Sequence, residues 1–422
     1  MAISSRQWLM GLLSLVSVLA LSIPAQAHLG HEHQDIPIDA PMEAVQSGGG
    51  QPNPFNPSRS SNGAIAGQVQ LQLAAQPPLS GIIPAQQPVR LKLEAVDRQK
   101  TPIQQAQWQI TLNTPPTNPW LTTDFPIVEG TTLLNAELKS AEDTLELETI
   151  LPIRGAYRLQ ATATAPGMDA PVTQTFVLNV PENPVKYRNA ATLAVILLLL
   201  GLVGGWVIAR QPQKREDSQE LAQSVRLLLS GAAVAAIVAL LAVNLSAEQA
   251  AQSHAERSLN QNLSRTTAEV GSLKLEYLGD TIATVGKLAD LSARLMDTRT
   301  NQPIQDVTFQ LKAKDAEHGA TVLAIAGKPN ASGIFTWQQQ FFDGAPHQIQ
   351  IEALSPTSSK PVTLTQAIEV EGIAPPMSVR LKTLGYMTAI VAIGMAIGFG
   401  AGRMKRGSRR FKGFLKPNPG RF

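Results

Sequence analysis

The sequence predicts a mainly β protein with transmembrane α segments: two β-sandwich domains carried by three transmembrane helices. Three observations predict it. The apolar residues gather in four runs, two stretches of alternating hydrophobicity lie between those runs, and the two stretches share short motifs in the same order. Composition averaged over the 422 residues, 44% hydrophobic and 16% charged, hides this division because it matches an ordinary soluble protein.

The first run, residues 9–23, follows Arg6 and ends in Ala25-Gln26-Ala27, the small-x-small pattern of a signal peptidase site. Residues 1–27 therefore read as a signal peptide, with an uncleaved N-terminal anchor as the alternative. Either reading exports the residues that follow. Residues 28–63 contain Gly48-Gly49-Gly50 and Pro52, Pro54 and Pro57, the composition of a flexible linker.

The other runs, 190–209, 227–245 and about 384–401, each approach the ~20 apolar residues that cross a bilayer. They are expected to be transmembrane helices, since a single span must satisfy its own backbone hydrogen bonds. Basic residues fix the orientation. The loop 210–226 carries Arg210, Lys214, Arg215 and Arg226, and the tail 402–422 holds eight Lys or Arg and no acidic residue. Both belong on the cytoplasmic side, which leaves both β domains in the periplasm or lumen of an inner or thylakoid membrane. Gly201 and Gly205, and Gly394, Gly398 and Gly402, recur at the four-residue spacing that lets membrane helices approach closely.

This topology also explains the basic pI of about 9.1. Residues 64–182 hold 7 Lys or Arg against 11 Asp or Glu, and residues 247–376 hold 10 against 14. Both exported stretches are acidic, so the positive charge belongs to the membrane flanks. Membrane lipids are the expected partner there, and nucleic acid is not expected.

Within 64–182, the segments 89–96, 107–112, 157–163 and 173–180 alternate in hydrophobicity between Pro, Gly, Asn and Asp breaks. Within 273–376, the segments 288–295, 307–311, 333–340, 348–354 and 362–370 do the same. About seven strands per domain at this spacing predict immunoglobulin-like sandwiches. Residues 247–272 are rich in Ala, Glu, Gln and Ser and are expected to extend the second span as a helical stalk.

The domains share motifs in order. Pro102-Ile103-Gln104 and Trp108-Gln109-Ile110 match Pro303-Ile304-Gln305 and Phe309-Gln310-Leu311. Gly155-Ala156-Tyr157 matches Gly344-Ala345-Pro346-His347, and Val172-Thr173 matches Val362-Thr363. They read as a duplicated sandwich-plus-anchor unit, with chance likeness between β-rich segments as the alternative. The Pro-Ile-Gln…Phe-Gln-Leu stretch, the Asn330-Ala331-Ser332-Gly333 turn and Asp343-Gly344-Ala345-Pro346-His347 resemble the membrane-anchored β-sandwich modules of the FixH and YtkA type, and the whole chain resembles exported cyanobacterial membrane proteins. The resemblance implies an extracytoplasmic module associated with transition-metal handling or oxidase assembly, and carries over no catalytic residue.

Absence of cysteine excludes thiol chemistry, Cys-ligated zinc and iron–sulfur clusters. The chain contains no phosphate-binding glycine loop, nucleophile elbow or His-Glu-x-x-His motif, and no enzymatic activity is expected. The candidate site is His28, His31 and His33, three of six histidines within six residues after the cleavage motif. An N-terminal His28 amine and these imidazoles suit Cu, Ni, Co or Zn. The alternative is a polar start to the linker. His254, His318 and His347 carry surface or structural readings. Two functions follow: a non-enzymatic interaction or assembly protein binding another membrane or periplasmic protein, or an accessory protein for transition-metal capture or transport.

Overall fold

The structure is a computed structural model that describes residues 43–45, 69–209 and 266–414, less positions 142, 167, 169, 357 and 359. The first unit contains β1 (Glu43–Val45), β2 (Gln70–Gln76), β3 (Pro88–Val96), β4 (Gln107–Asn113), β5 (Thr132–Lys139), β6 (Thr144–Ile150), β7 (Gly155–Thr164), β8 (Val172–Val180) and helix α1 (Pro184–Ala209). The second contains β9 (Thr266–Val270), β10 (Leu273–Gly279), β11 (Ile282–Thr284), β12 (Leu288–Asp297), β13 (Gln302–Pro303), β14 (Thr308–Asp315), β15 (Thr321–Gly327), β16 (Ile334–Gln340), β17 (His347–Leu354), β18 (Val362–Glu371) and helix α2 (Met377–Phe414).

Period-two alternation makes the strands. In β3, Val89, Leu91, Leu93 and Ala95 are buried while Arg90, Lys92 and Glu94 face outward. Fully burying each large apolar side chain contributes about 1.5–3 kcal/mol, so a one-residue slip is strongly disfavoured. Trp108 on β4 and Trp337 on β16 are among the largest fully buried side chains. A single hydrophobic cluster runs through both units.

Each unit packs three strands on four. In the first, β2-β3-β6 face β8-β7-β4-β5; in the second, β12-β16 with β10 face β18-β17-β14-β15. That order is an immunoglobulin-like sandwich with one strand placed beside the third. The two sandwiches are not separate bodies, as the sequence suggests. β6 pairs antiparallel with β15, and β5 with β16, so each sheet continues through both units. The two seams correspond: Leu147 on β6 faces Ile325 on β15 in one, and Trp337 on β16 faces Ala136 on β5 in the other, each pair placing a residue of the fifth sandwich strand opposite one of the sister unit's fourth. This is the self-complementary contact of a twofold dimer, built within one chain. Side chains reinforce it, with Asn135 Nδ2 donating to Gln338 Oε1 at 2.9 Å and Thr131 Oγ1 to Gln340 Oε1 at 2.8 Å.

The helices repeat the relation. Asn183 Oδ1 accepts from the Val185 amide at 2.9 Å and Pro184 takes the first helical position, which starts α1 directly after β8. The helix pair runs parallel, and its glycines are what let the backbones touch. A Cβ on Gly201 would fall onto the Val391 carbonyl and one on Gly205 onto that of Met395; reciprocally, Gly394 meets Leu198 and Gly398 meets Leu202. Gly204, one residue off the seam, faces open space. Segments Pro184–Trp206 and Met377–Arg403 are long and apolar enough to cross a membrane.

Several expectations need correction. α1 and α2 begin before the predicted runs 190–209 and 384–401, because Pro184 and the Pro376 carbonyl initiate the helical turns. The stalk expected over 247–272 does not include its last residues: Thr266–Val270 is a strand paired with β10 through a turn at Gly271, whose φ is +64°. Glu43–Val45, inside the expected linker, pairs with β2. The signal peptide, His28, His31 and His33, the cytoplasmic loop, the run 227–245 and most of the stalk lie outside the described residues.

Packing at the glycine seam predicts a position-specific response. Gly205→Ala and Gly398→Ala should each lower stability by about 1–3 kcal/mol, the usual cost of overpacking, while Gly204→Ala should be neutral or slightly stabilising. Thermal unfolding of the purified chain checks this; equal melting temperatures for all three variants would contradict the helix contact.

Candidate functional site

The two units differ most in one connection at the helix-bearing end. Between β4 and β5 the first unit uses eighteen residues, Thr114 through Thr131, where the second joins β14 to β15 with five. Loops this long inside compact domains are commonly functional. Pro115-Pro116 and Asn118-Pro119 forbid helix here and give a rigid extended path.

Every part of this loop is held. Asn118 Oδ1 accepts from the amides of Trp120 and Leu121 at 2.9 and 3.2 Å, which fixes a tight turn. The buried Glu129 accepts from the Thr123 amide at 2.6 Å and its hydroxyl at 2.8 Å. Lys186 at the start of α1 pairs with Asp124 at 2.6 Å. From α2, Lys382 Nζ donates to the Pro119 carbonyl and the Tyr386 hydroxyl to the Trp120 carbonyl, both at 3.0 Å. Farther along, Phe125 packs edge-on against Phe342 of the second unit, with centroids 5.3 Å apart. The loop thus touches both sandwiches and both helices.

Its tip is nevertheless open. Trp120 is 74% exposed and Leu121 59%. Beneath them lies a groove of about 240 Å³ between the tip and the two helices.

Equivalent corners of the two sandwiches use different chemistry. Tyr157, at the start of β7, accepts from the Ile153 amide at 2.8 Å and donates to its carbonyl at 2.7 Å, a tyrosine corner. Burial pushes its phenol far above the ordinary range. The second unit places His347 there, 1% exposed, with Nδ1 2.8 Å from the Ala345 carbonyl and its ring 4.7 Å from that of Phe341. Its Nε2 lies 3.8 Å from Asp343, beyond hydrogen-bond reach.

Across from this corner the turn after β14 brings His318 Nδ1 within 2.7 Å of Asp315 Oδ2, and the Ala316 amide donates to the Pro346 carbonyl at 2.9 Å. The structure therefore gathers the two histidines the sequence left as separate structural or surface residues. Burial pushes the Asp343 carboxyl up, and Asp315 and Glu317 add to this against the pull of His347. Among the described residues, no three His, Asp or Glu side chains are arranged to hold a metal ion.

Sequence reasoning passed over Trp120 and its loop. A signal exists: Trp108 to Gly155 spans 47 positions, whereas the matched Phe309 to Gly344 spans 35, so the first repeat carries twelve extra residues between shared motifs.

No family model and no curated protein sequence matches the chain, so the likeness to FixH and YtkA modules gains no support. Among solved structures, the adhesin InvE of Yersinia pseudotuberculosis is similar over 72% of this chain and 61% of its own, at 11% identity and a TM-score of 0.18. The D0-D1 domain of intimin is similar over 69% and 95%, at 8% and 0.16, and a two-domain fibronectin type III segment of chicken tenascin over 72% and 98%, at 7% and 0.15. The sandwich assignment rests on the strand order.

The His318–Asp315 pair has a definite pH signature. His318 is raised by its bond to Asp315 and that carboxylate's charge, so its stabilisation is full below the ordinary imidazole value and is lost as pH climbs through the raised one. For Asp315, burial acts upward, but the bond from His318 and the amides of Glu317 and His318 bring it below the ordinary carboxylate value; its contribution fades as pH falls through that lowered value. The melting deficit of His318→Ala should therefore be largest between the ordinary carboxylate and imidazole values, about pH 4 to 6.5, and shrink on either side. Melting curves across pH check it, and a deficit independent of pH would contradict the pairing.

Proposed function

We propose that the chain is a non-enzymatic scaffold, anchored in a prokaryotic-type membrane, that presents its fused double sandwich on the extracytoplasmic face to another membrane or periplasmic protein. The observation that carries the partner-binding reading is the edge at β8. Among the described residues this strand ends its sheet; it runs nine residues and has the sequence VTQTFVLNV, without charge, Pro or Gly. Natural sheets blunt such edges with charges, prolines or coverings, because a bare edge accepts a further strand. The sister strand β18 is partly covered, since β11 pairs with it and Thr266 bonds Gln366. A partner that adds a strand to β8 would gain affinity from backbone hydrogen bonds and specificity from side chains such as the exposed Thr173, Thr175 and Asn179.

Anchoring rests on the helix pair and on direction. Because α1 and α2 leave the same end of the body in parallel, a chain that spans with both must return once between them. The interval 210–265 contains the apolar run 227–245, which is the stretch suited to that return. Basic residues in 210–226 and 402–422 support a cytoplasmic location for that side.

A photo-crosslinking residue in place of Thr175, in the full chain in its native membrane, tests the scaffold reading. A discrete protein adduct at Thr175, lost when Thr173→Lys is added to the edge, is the expected result; no adduct, or one unchanged by the lysine, would remove the β8 edge from the mechanism.

The histidine cluster supports a second reading, capture of a transition metal for a neighbouring protein. Titration of the processed chain with Cu, Ni, Co and Zn should then show binding that disappears when His28, His31 and His33 are all replaced by Ala. Identical titrations would retire the metal reading and leave the scaffold.

A further inference from the structure

The eighteen-residue loop stands where the sister unit has a five-residue turn, and two of its exposed side chains, Trp120 and Leu121, are large and apolar. An exposed Trp-Leu tip is a poor solution in water, yet this loop is fixed by bonds from both helices and cannot fold the tip inward. The partner must be sought in what surrounds the helices at that level.

The helices define the level. Beyond Arg188, α1 carries no charged side chain, and α2 carries none between Lys382 and Arg403. Tyr187 and Tyr386, both largely exposed, mark the same zone. Tyrosine, tryptophan and lysine are the residues that populate the boundary between hydrocarbon and water, where one end of the side chain is apolar and the other wet. Trp120 is tied through its own carbonyl to Tyr386, so it lies at this boundary. Leu193, Leu197, Met387 and Ile390 line the groove together with Lys382 and Tyr386, and along α2 the lining passes from Lys382, nearest the sandwich, to the apolar Met387 and Ile390. An amphiphile with its chain toward the helices and its headgroup toward Lys382 matches that gradient.

On the reading that α1 and α2 span the membrane, we infer that Trp120 and Leu121 form a hook that enters the outer leaflet, and that the groove behind the hook seats one acyl chain of a membrane phospholipid. The lysine ammonium has three donors and gives one to the Pro119 carbonyl, leaving others for the lipid phosphate. The loop therefore works as a third contact with the bilayer. It holds the first sandwich close to the surface, on one side of the helix pair only.

The chain contains no cysteine, which makes single labels direct. Spin labels placed by Leu121→Cys, by Leu199→Cys on the exposed face of α1 and by Thr173→Cys on β8 would be read in phospholipid nanodiscs, as the ratio of collisions with oxygen to collisions with a water-soluble nickel chelate. The hook predicts a ratio at Leu121 several-fold above that at Thr173 and close to that at Leu199. A Leu121 label as wet as Thr173, with Leu199 in lipid, would overturn the hook and leave the anchoring intact. Wet labels at both Leu121 and Leu199 would overturn the anchoring and the hook together. Should Leu121→Cys fail to fold, tryptophan emission of the unmodified chain in nanodiscs of chain-brominated phospholipid provides the second measurement. Quenching that falls clearly in Trp120→Phe is expected, and equal quenching in both would refute acyl-chain contact.

Discussion

The pairing of β5 with β16 and of β6 with β15 is the constraint on which the rest depends. Had the sandwiches been joined only by a linker, the helices would leave from two independent bodies and could meet or not. Two ladders fix the units rigidly, and strands β8 and β18 then deliver α1 and α2 to one end, side by side and parallel. The glycine contacts of the helix pair follow the same twofold relation as the ladders. Water-excluded sheet pairing and close helix packing are different forces, yet here they reinforce one arrangement. Consistency of that kind across levels is what gives a sequence a single structure.

Strand identity was legible because alternation is a local property. The segments read at 89–96, 107–112 and 288–295 lie within β3, β4 and β12, as their buried Leu and Ile positions require. The fusion of the sheets was not legible, because Ala136 and Trp337 meet across two hundred positions and nothing near either residue records its partner. Thr266–Val270 misled for the opposite reason. Its Thr, Ala and Glu fit a helix as well as a strand, and pairing with β10 decides the matter.

The site was half legible. Repeat alignment placed Tyr157 and His347 at equivalent positions, but only the fold shows that His318 comes to the same corner as His347. The β4–β5 loop leaves a trace as a spacing difference between repeats, which the sequence reading passed over. Its meaning depends on Lys382 and Tyr386, more than 260 positions away, and no local pattern connects them.

Duplication within one chain has a consequence for its biogenesis. During synthesis the first half emerges with β5 and β6 complete and their proper neighbours, β15 and β16, not yet made. For that interval two adjacent edges stand open, and they are complementary to each other across a twofold axis. Two nascent first halves on neighbouring ribosomes can therefore satisfy one another as a homodimer does, before either has made its second half. Correct assembly is then a race between elongation and encounter. Slow synthesis at high local density would favour exchanged pairs, in which the internal symmetry becomes an intermolecular one.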